Sequence, residues 1–370
     1  MNKIKLVYIC ECLGGGVRKH LVDLLDYLNK EKYEIHVIHG VSRMDSVFIK
    51  VKERLNDIKF YPISELEREI NIKKDYISVK KILKILKEIR PDVVHCHSSK
   101  AGVLGRLASK YLRINKIHYT PHGYIIQSPK ISKKKKKLFC FIEKVLGKFT
   151  TKVIHVSKGE EEVAFKHNIL DKDKSVVIYN GMRVPYSELI KHKTDFNIVT
   201  IARMDDQKNP WDAIKIIEEL IPEFPYLKYT FIGDGKYYNE IVEYVTNNRL
   251  EQNINLPGFM PNPYKVLKKA DLFLLTSLYE GLPYALIEAM AYKVPLLASD
   301  VTGNNELIIN DYNGFLYKLD NIEEAKIKVK LLINDKDKLI NMSMHSNEFF
   351  LKNFTFDKMI QTYDKLYSEV

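Results

Sequence analysis

Short apolar runs alternate with stretches of helical period along almost the whole chain, and no other feature limits its possible folds as strongly. In the first half, residues 4–10, 35–39, 93–97, 116–120 and 152–156 read as buried strands. Residues 16–29, 46–55, 77–89, 101–112, 134–148 and 158–167 read as helices between and after them. After a further apolar run at 176–179, the stretch to Asp195 is polar and reads as a connection. A second series follows, with strands expected at 198–202, 228–232, 254–257, 272–275 and 296–298. Strands separated by helices point to parallel sheets, because a crossover that holds a helix returns the chain to the same end of the sheet. The expected fold class is α/β, with two Rossmann-like doubly wound parallel-sheet domains facing across a cleft. Their expected extents are 1–185 and 186–354, and 370 residues suffice for two cores.

Ligands of such sheets bind where strands end and helices begin. One turn of this kind precedes Pro283 in Tyr279-Glu-Gly-Leu-Pro-Tyr-Ala-Leu-Ile-Glu288. The apolar run 272–276 stops just before Glu280 and Pro283 opens a helix, so Glu280 belongs to the turn and Glu288 to the helix. Amides at a helix start suit an anion. Carboxylates beside such a site suit hydroxyl donors, and a nucleotide sugar carries hydroxyls on either side of its diphosphate. A second turn, after 198–202, reads Arg203-Met-Asp-Asp-Gln-Lys-Asn-Pro. Arg203 and Lys208 supply a planar fork and a point charge, both suited to a diphosphate. Singly, each of these residues also fits a solvated surface. Together they describe a site for an anionic, hydroxyl-rich ligand.

With these turns in place, the chain resembles the retaining GT-B glycosyltransferases of family 4, which build capsules, exopolysaccharides and glycolipids. The likeness runs through Gly14-Gly15-Gly16, the stretch from His97 to Ala108, Thr120-Pro-His-Gly-Tyr124, Val156-Ser157 and Tyr179-Asn-Gly181. It continues through Arg203 with Lys208, Gly233-Asp-Gly235, Pro257-Gly-Phe259, the Glu280/Glu288 element and Gly303 to Glu306. The resemblance implies donor contacts from Gly15, Gly16, Arg203, Lys208, Gly233, Phe259, Glu280, Gly281, Leu282 and Glu288. It implies that Glu280 grips hydroxyls at C3 and C4 of the donor sugar and that Glu288 holds the ribose. His122 would meet the transferred sugar near its anomeric centre or C6 hydroxyl, as a neutral or protonated imidazole. The implied catalytic set is His122, Glu280, Arg203 and Lys208. The last helix, with Met359, Ile360, Tyr363 and Leu366 at helical spacing, would cross back so that 355–370 joins the first domain.

The reaction so implied moves a hexosyl or N-acetylhexosaminyl group from a nucleotide sugar, with UDP the expected carrier. Fixed cations and helix-start amides would stabilise the departing diphosphate. A covalent glycosyl intermediate needs a carboxylate on the far face of the sugar, and the sequence nominates none. The expectation is therefore front-face displacement with retention, the departing phosphate taking the acceptor proton. The implied acceptor is a polyprenyl-diphosphate-linked sugar or a cell-surface glycan.

No cofactor and no metal is expected. His95 and His97 share one face of a strand, with His118 and His122 on the next, yet no acid beside them completes a ligand set. The pairs Asp171/Asp173 and Asp335/Asp337 lie in Lys-rich turns and read as helix-flanking surface charges. Gly14-Gly15-Gly16 lacks the dinucleotide fingerprint, since Lys19 stands where its last glycine would be and residues 39–40 offer no acid for a ribose. A nicotinamide-dependent dehydrogenase is thereby disfavoured.

Net charge is +12, distributed unevenly: residues 1–185 hold 38 Lys and Arg against 20 Asp and Glu, whereas 186–370 hold 21 against 27. No nucleic-acid recognition signature accompanies the basic half. An anionic membrane is the better partner, because Lys133, Lys134, Lys135, Lys136 and Lys137 precede a helical stretch carrying Leu138, Phe139, Phe141, Ile142, Val145, Leu146 and Phe149. These seven side chains read as one broad apolar face, which either packs inward or lies on a bilayer. No apolar run approaches a membrane span, the amino terminus reads as a first strand, and four scattered cysteines suit reduced thiols. The expected location is the cytosol, peripherally on the inner leaflet. Two other readings stay open: a UDP-sugar 2-epimerase of the same fold, which would form a new sugar nucleotide without acceptor, and a non-catalytic donor-binding subunit.

Overall fold

In the computed structural model, residues 3–184 and 195–369 are described, and most of the expected polar connection lies outside them. The chain divides into two compact units, one formed by Met1–Asn180 with Met359–Val370 and the other by Gly181–Lys358.

In the first unit the strands are β1 (Ile4–Cys10), β2 (Tyr33–Gly40), β3 (Lys59–Ile63), β4 (Val93–His97), β5 (Lys116–Thr120), β6 (Lys152–His155) and β7 (Ser175–Val177). The helices are α1 (Gly15–Tyr27), α2 (Ser46–Arg54), α3 (Ile72–Ile89), α4 (Ser99–Tyr111), α5 (Lys133–Gly147) and α6 (Lys158–Lys166). All seven strands are parallel, in the order β3-β2-β1-β4-β5-β6-β7. The direction of winding reverses between β1 and β4, and that crevice is where a doubly wound sheet takes ligands.

The second unit repeats the plan. Its strands are β8 (Phe196–Ile201), β9 (Leu227–Ile232), β10 (Ile254–Gly258), β11 (Leu272–Leu275), β12 (Leu296–Ser299) and β13 (Gly314–Tyr317), ordered β10-β9-β8-β11-β12-β13. Helices α7 (Pro210–Leu220), α8 (Tyr238–Asn247), α9 (Tyr264–Leu267), α10 (Tyr284–Ala291), α11 (Asn304–Leu307), α12 (Ile322–Asn334) and α13 (Lys336–Asn353) complete it. Here the winding reverses between β8 and β11. Strands β8 and β11 are buried runs such as Leu272, Phe273, Leu274 and Leu275, as parallel strands covered on both faces require.

Three strands were not expected from sequence, β3, β7 and β13, and each is a sheet edge. Strand β3 contains Pro62, which an edge tolerates because no ladder bond is lost there. Strand β13 has four residues and opens on Gly314.

The last helix, α14 (Phe356–Ser368), belongs to the first unit from Met359 onward. From Met359 onward its buried positions are Met359, Tyr363 and Tyr367, spaced four apart, whereas Ile360 and Leu366 are only half-buried. Polar anchoring adds to the packing: Lys32 pairs with Asp364 at 2.8 Å, and the Tyr33 hydroxyl donates to Asp364 Oδ1 at 2.8 Å.

The broad apolar face expected on α5 is two faces. Glu143 is the inward residue: Arg106 Nη2 of α4 donates to its Oε2 at 2.7 Å and the Tyr119 hydroxyl to its Oε1 at 3.2 Å. That ion pair is buried, so breaking it strands a charge and fixes which way the helix turns. Leu146 and Gly147 then lie inside, while Leu138, Phe141 and Val145 face outward, with Phe141 65 % exposed.

Candidate active site

In the second unit, the turns that follow five neighbouring strands are tied to one another. After β8, Asp205 organises the turn, its Oδ1 accepting from the amides of Gln207 and Lys208 at 3.1 and 3.2 Å. The turn is joined to the one after β11, where Thr276 Oγ1 donates to the carbonyls of Lys208 and Asn209 at 3.0 and 2.9 Å. Leu278 donates its amide to Gln207 O at 2.8 Å. Lys208 Nζ forms an ion pair with Glu280 Oε1, and the Glu280 side chain is only 6 % exposed. The cation expected on the diphosphate and the acid expected on the sugar are thus direct neighbours, at the point where the sheet reverses.

Arg203, half-buried on the same turn, pairs with Asp205 Oδ2 at 3.0 Å. Behind it lies Gly233 after β9, with φ of +149°; a side chain there would place its Cβ 1.8 Å from Ala202 O, so only glycine allows this approach. Gly233 donates its amide to Gly258 O at 2.9 Å, which brings Phe259, an exposed ring just past β10, to the same rim. Gly303, φ +86°, closes the other side: a Cβ would lie 2.4 Å from Gly281 O and 3.1 Å from Glu280 Cβ. Gly281 and Leu282 are buried in the Glu280 turn. Pro283 is the residue before α10 and no side chain caps that helix, or α7 after the Lys208 turn. Glu288 is buried on α10, with the Tyr264 hydroxyl 3.5 Å from its Oε1, at the long limit of a hydrogen bond.

The first unit gathers its candidates at the carboxyl ends of β1, β4 and β5. Gly15, φ +61°, and Gly16 open α1, which no side chain caps. One turn on, His20 lies edge-on to His122, ring centroids 4.9 Å apart. His97 Nδ1 is 3.0 Å from His122 Nε2, and His122 itself has φ of +57°, a strained conformation for a residue with a side chain. Glu160 holds the strained turn from below, its Oε1 accepting from the Gly123 amide at 2.5 Å and its Oε2 from the Val156 amide at 2.9 Å. Burial lowers the pKa of His122 and His97 well below the usual value and that of His20 to about 4. Burial thus disfavours the protonated form of the imidazole at 122.

His20, which sequence reasoning did not single out, brings a nitrogen to within 4.8 Å of nitrogens of His97 and His122. Both of its ring nitrogens are engaged, with Asn180 Oδ1 at 3.0 Å and the Tyr363 hydroxyl at 3.1 Å. His95 is likewise bonded to the Tyr367 hydroxyl at 2.6 Å and to Thr120 Oγ1 at 2.8 Å. The donor set describes a hydrogen-bonded cluster with no acid in it. Glu11, another unexpected buried acid, accepts from the Ala101 amide at 3.1 Å and has its pKa raised by burial. The expected helix-flanking role of Asp335 is observed, since it accepts from Lys338 N at 2.9 Å. The lysines from Lys133 to Lys137 lie on α5, away from these turns in the chain. No helix among the described residues is long and apolar enough to cross a membrane.

Residues 14–184 match the family model described as Glycosyltransferase Family 4, and residues 187–348 match that described as Glycosyl transferases group 1. An Escherichia coli UDP-Gal:alpha-D-GlcNAc-diphosphoundecaprenol alpha-1,3-galactosyltransferase is 29% identical over 390 residues, covering 100% of this chain and 98% of that protein. The O-antigen biosynthesis glycosyltransferase WbnH of E. coli is 30% identical over 260 residues, 67% of this chain and 72% of that protein. Among solved structures, Anabaena Alr3699/HepE in complex with UDP and glucose superposes with a TM-score of 0.81 at 19% identity, covering 99% of this chain and 100% of that one.

Proposed function

The chain is a capsular-type family 4 glycosyltransferase of GT-B fold, and on that premise we propose that it moves a hexosyl or N-acetylhexosaminyl group from a UDP-sugar to a lipid-linked glycan, with retention and without a metal ion. The observation that carries this reading is the Lys208–Glu280 pair at the β8/β11 reversal, with Arg203 beside it and Glu288 one element on. Charge develops on the leaving diphosphate as the glycosidic bond breaks. Arg203, Lys208 and the uncapped starts of α7 and α10 share these turns, so once the nucleotide sugar is bound they face the diphosphate before that charge appears. Glu280 grips sugar hydroxyls and favours the electron-poor ring, and Glu288 holds the ribose. In the first unit His122, neutral, is the sugar contact. With these cations present a metal ion is superfluous. The departing phosphate is the base for the acceptor hydroxyl, and attack comes from the face it leaves. A UDP carrier and a polyprenyl-diphosphate acceptor are supported by the name of the E. coli relative.

The direct assay supplies UDP-galactose, UDP-glucose or UDP-N-acetylglucosamine with an undecaprenyl-diphosphate-linked sugar in excess chelator. One donor should give a product whose new linkage keeps the α configuration. Inverted product, a requirement for divalent metal, or conversion of donor alone to another sugar nucleotide would each count against the proposal.

The membrane is the further proposed partner. The outward stripe Leu138, Phe141 and Val145 of α5 is flanked by Lys134, Lys137, Lys144 and Lys148, all exposed. Each lysine near an anionic leaflet is worth about 1 kcal/mol, so changing Lys133 to Lys137 together to Ser removes roughly 5 kcal/mol of attraction by that count. The variant should no longer float with phosphatidylglycerol vesicles. Unchanged flotation refutes the surface.

A further inference from the structure

Glu280 is held by two donors, and only one of them belongs to the expected donor site. Ser277, the second residue past β11, is fully buried and its Oγ donates to Glu280 Oε1 at 2.6 Å, the same oxygen that Lys208 pairs with. No donor among the described residues reaches Oε2. The carboxylate therefore has one oxygen committed to the protein and one without a donor among the described residues. Behind Ser277 the bonding continues. Ser299 Oγ at the end of β12 donates to Ser277 O at 2.5 Å, and Asn304 Nδ2 at the start of α11 donates to Ser299 O at 3.0 Å. All three side chains are buried, so each hydrogen bond lies in a medium where losing it leaves a polar group unsatisfied.

We propose that Ser277, backed by Ser299 and Asn304, is a positioning residue that fixes the rotation of Glu280 so that Oε2 meets the donor-sugar hydroxyls. This rests on the reading of Glu280 as the sugar grip. The two donors on Oε1 differ in kind. Lys208 carries three N–H groups and is drawn toward the diphosphate when the nucleotide sugar binds. Ser277 has one hydroxyl, fully buried, and Glu280 Oε1 is its one hydrogen-bond acceptor among the described residues. It is the bond that keeps Glu280 in place while Lys208 shares itself with phosphate.

The test compares UDP with UDP-glucose and UDP-galactose on the full chain, by calorimetry and by turnover. In Ser277→Ala, kcat/KM for the accepted UDP-sugar should fall about 10- to 100-fold, the span of one hydrogen bond to a charged group. Affinity for UDP, which lacks the sugar, should change less than twofold. In a Glu280→Gln background the same serine change should cost little, because the group it positions has lost its charge. Should Ser277→Ala fail to fold, Ser299→Ala reads the same relay one step back, with a smaller loss in the same direction. An unchanged kcat/KM in a folded variant overturns the inference. So does a parallel loss of UDP affinity, the mark of a collapsed turn, or full additivity with Glu280→Gln. If the wild type binds UDP no differently from these UDP-sugars and turns over none, the donor reading itself fails, an outcome recognisable before any variant is made.

Discussion

Replacing Glu280 by glutamine should slow glycosyl transfer by about 100- to 1,000-fold, the loss typical of one preorganised electrostatic partner, while UDP affinity should stay within a few-fold of wild type. Glutamine keeps the shape and an acceptor oxygen, so the turn between β11 and α10 is preserved. What disappears is the charge proposed to face the sugar and the ion pair with Lys208. In the ground state the sugar is neutral and feels that charge weakly. As the bond to diphosphate breaks, the ring becomes oxocarbenium-like and feels it strongly, so the loss falls on kcat more than on KM. UDP has no sugar to lose. A variant with wild-type kcat, measured at saturating donor, would remove Glu280 from the chemistry.

The second large effect is on stability in acid. Nine histidines of the first unit have their pKa lowered by burial, and seven of them are shifted furthest: His20, His39 and His118 to about 4, His155 to about 3, and His95, His97 and His122 well below the usual value. In the unfolded chain each takes a proton near pH 6.5. Between pH 6.5 and about 4 the unfolded state therefore binds more protons than the folded one, and stability falls as pH falls. At pH 5 each histidine with a folded pKa near 4 costs about 2 kcal/mol. Three of these alone consume roughly 6 kcal/mol, comparable with the whole stability of many domains. Glu11, raised by burial, acts in the opposite sense but is one group against seven. Thermal unfolding followed from pH 7.5 to 5 should show a steep decline confined to the range below pH 6.5. A flat profile would mean that the cluster is charged or solvated in the native state.

Much of the site was legible because its punctuation is local. An apolar run, a glutamate and a proline place Glu280 in a turn and Glu288 on a helix, and the structure puts them there. The same holds for Arg203 and Lys208 after β8. Strand order is not local, so the coincidence of both turns with the reversal between β8 and β11 emerges only from the sheet. Ser277 and His20 were missed for a related reason. Neither has a distinctive neighbourhood in sequence, and their partners lie on Glu280, Asn180 and Tyr363. On α5, periodicity identified an amphipathic helix but not its orientation, which Arg106, on a different helix, decides through Glu143. Tyr367, buried against Tyr8 and His95, was passed over for Leu366 by a single position.

The central claim is that the second unit's paired cations and acids hold a nucleotide sugar. Calorimetric titration of wild type and Glu288→Ala with UDP tests it most directly. The account predicts saturable one-to-one binding by the wild type in the presence of chelator, and affinity lower by about tenfold or more in the variant, since the buried carboxylate proposed to hold the ribose is lost. Equal affinity in the two proteins, or preference for GDP or NAD over UDP, would contradict it.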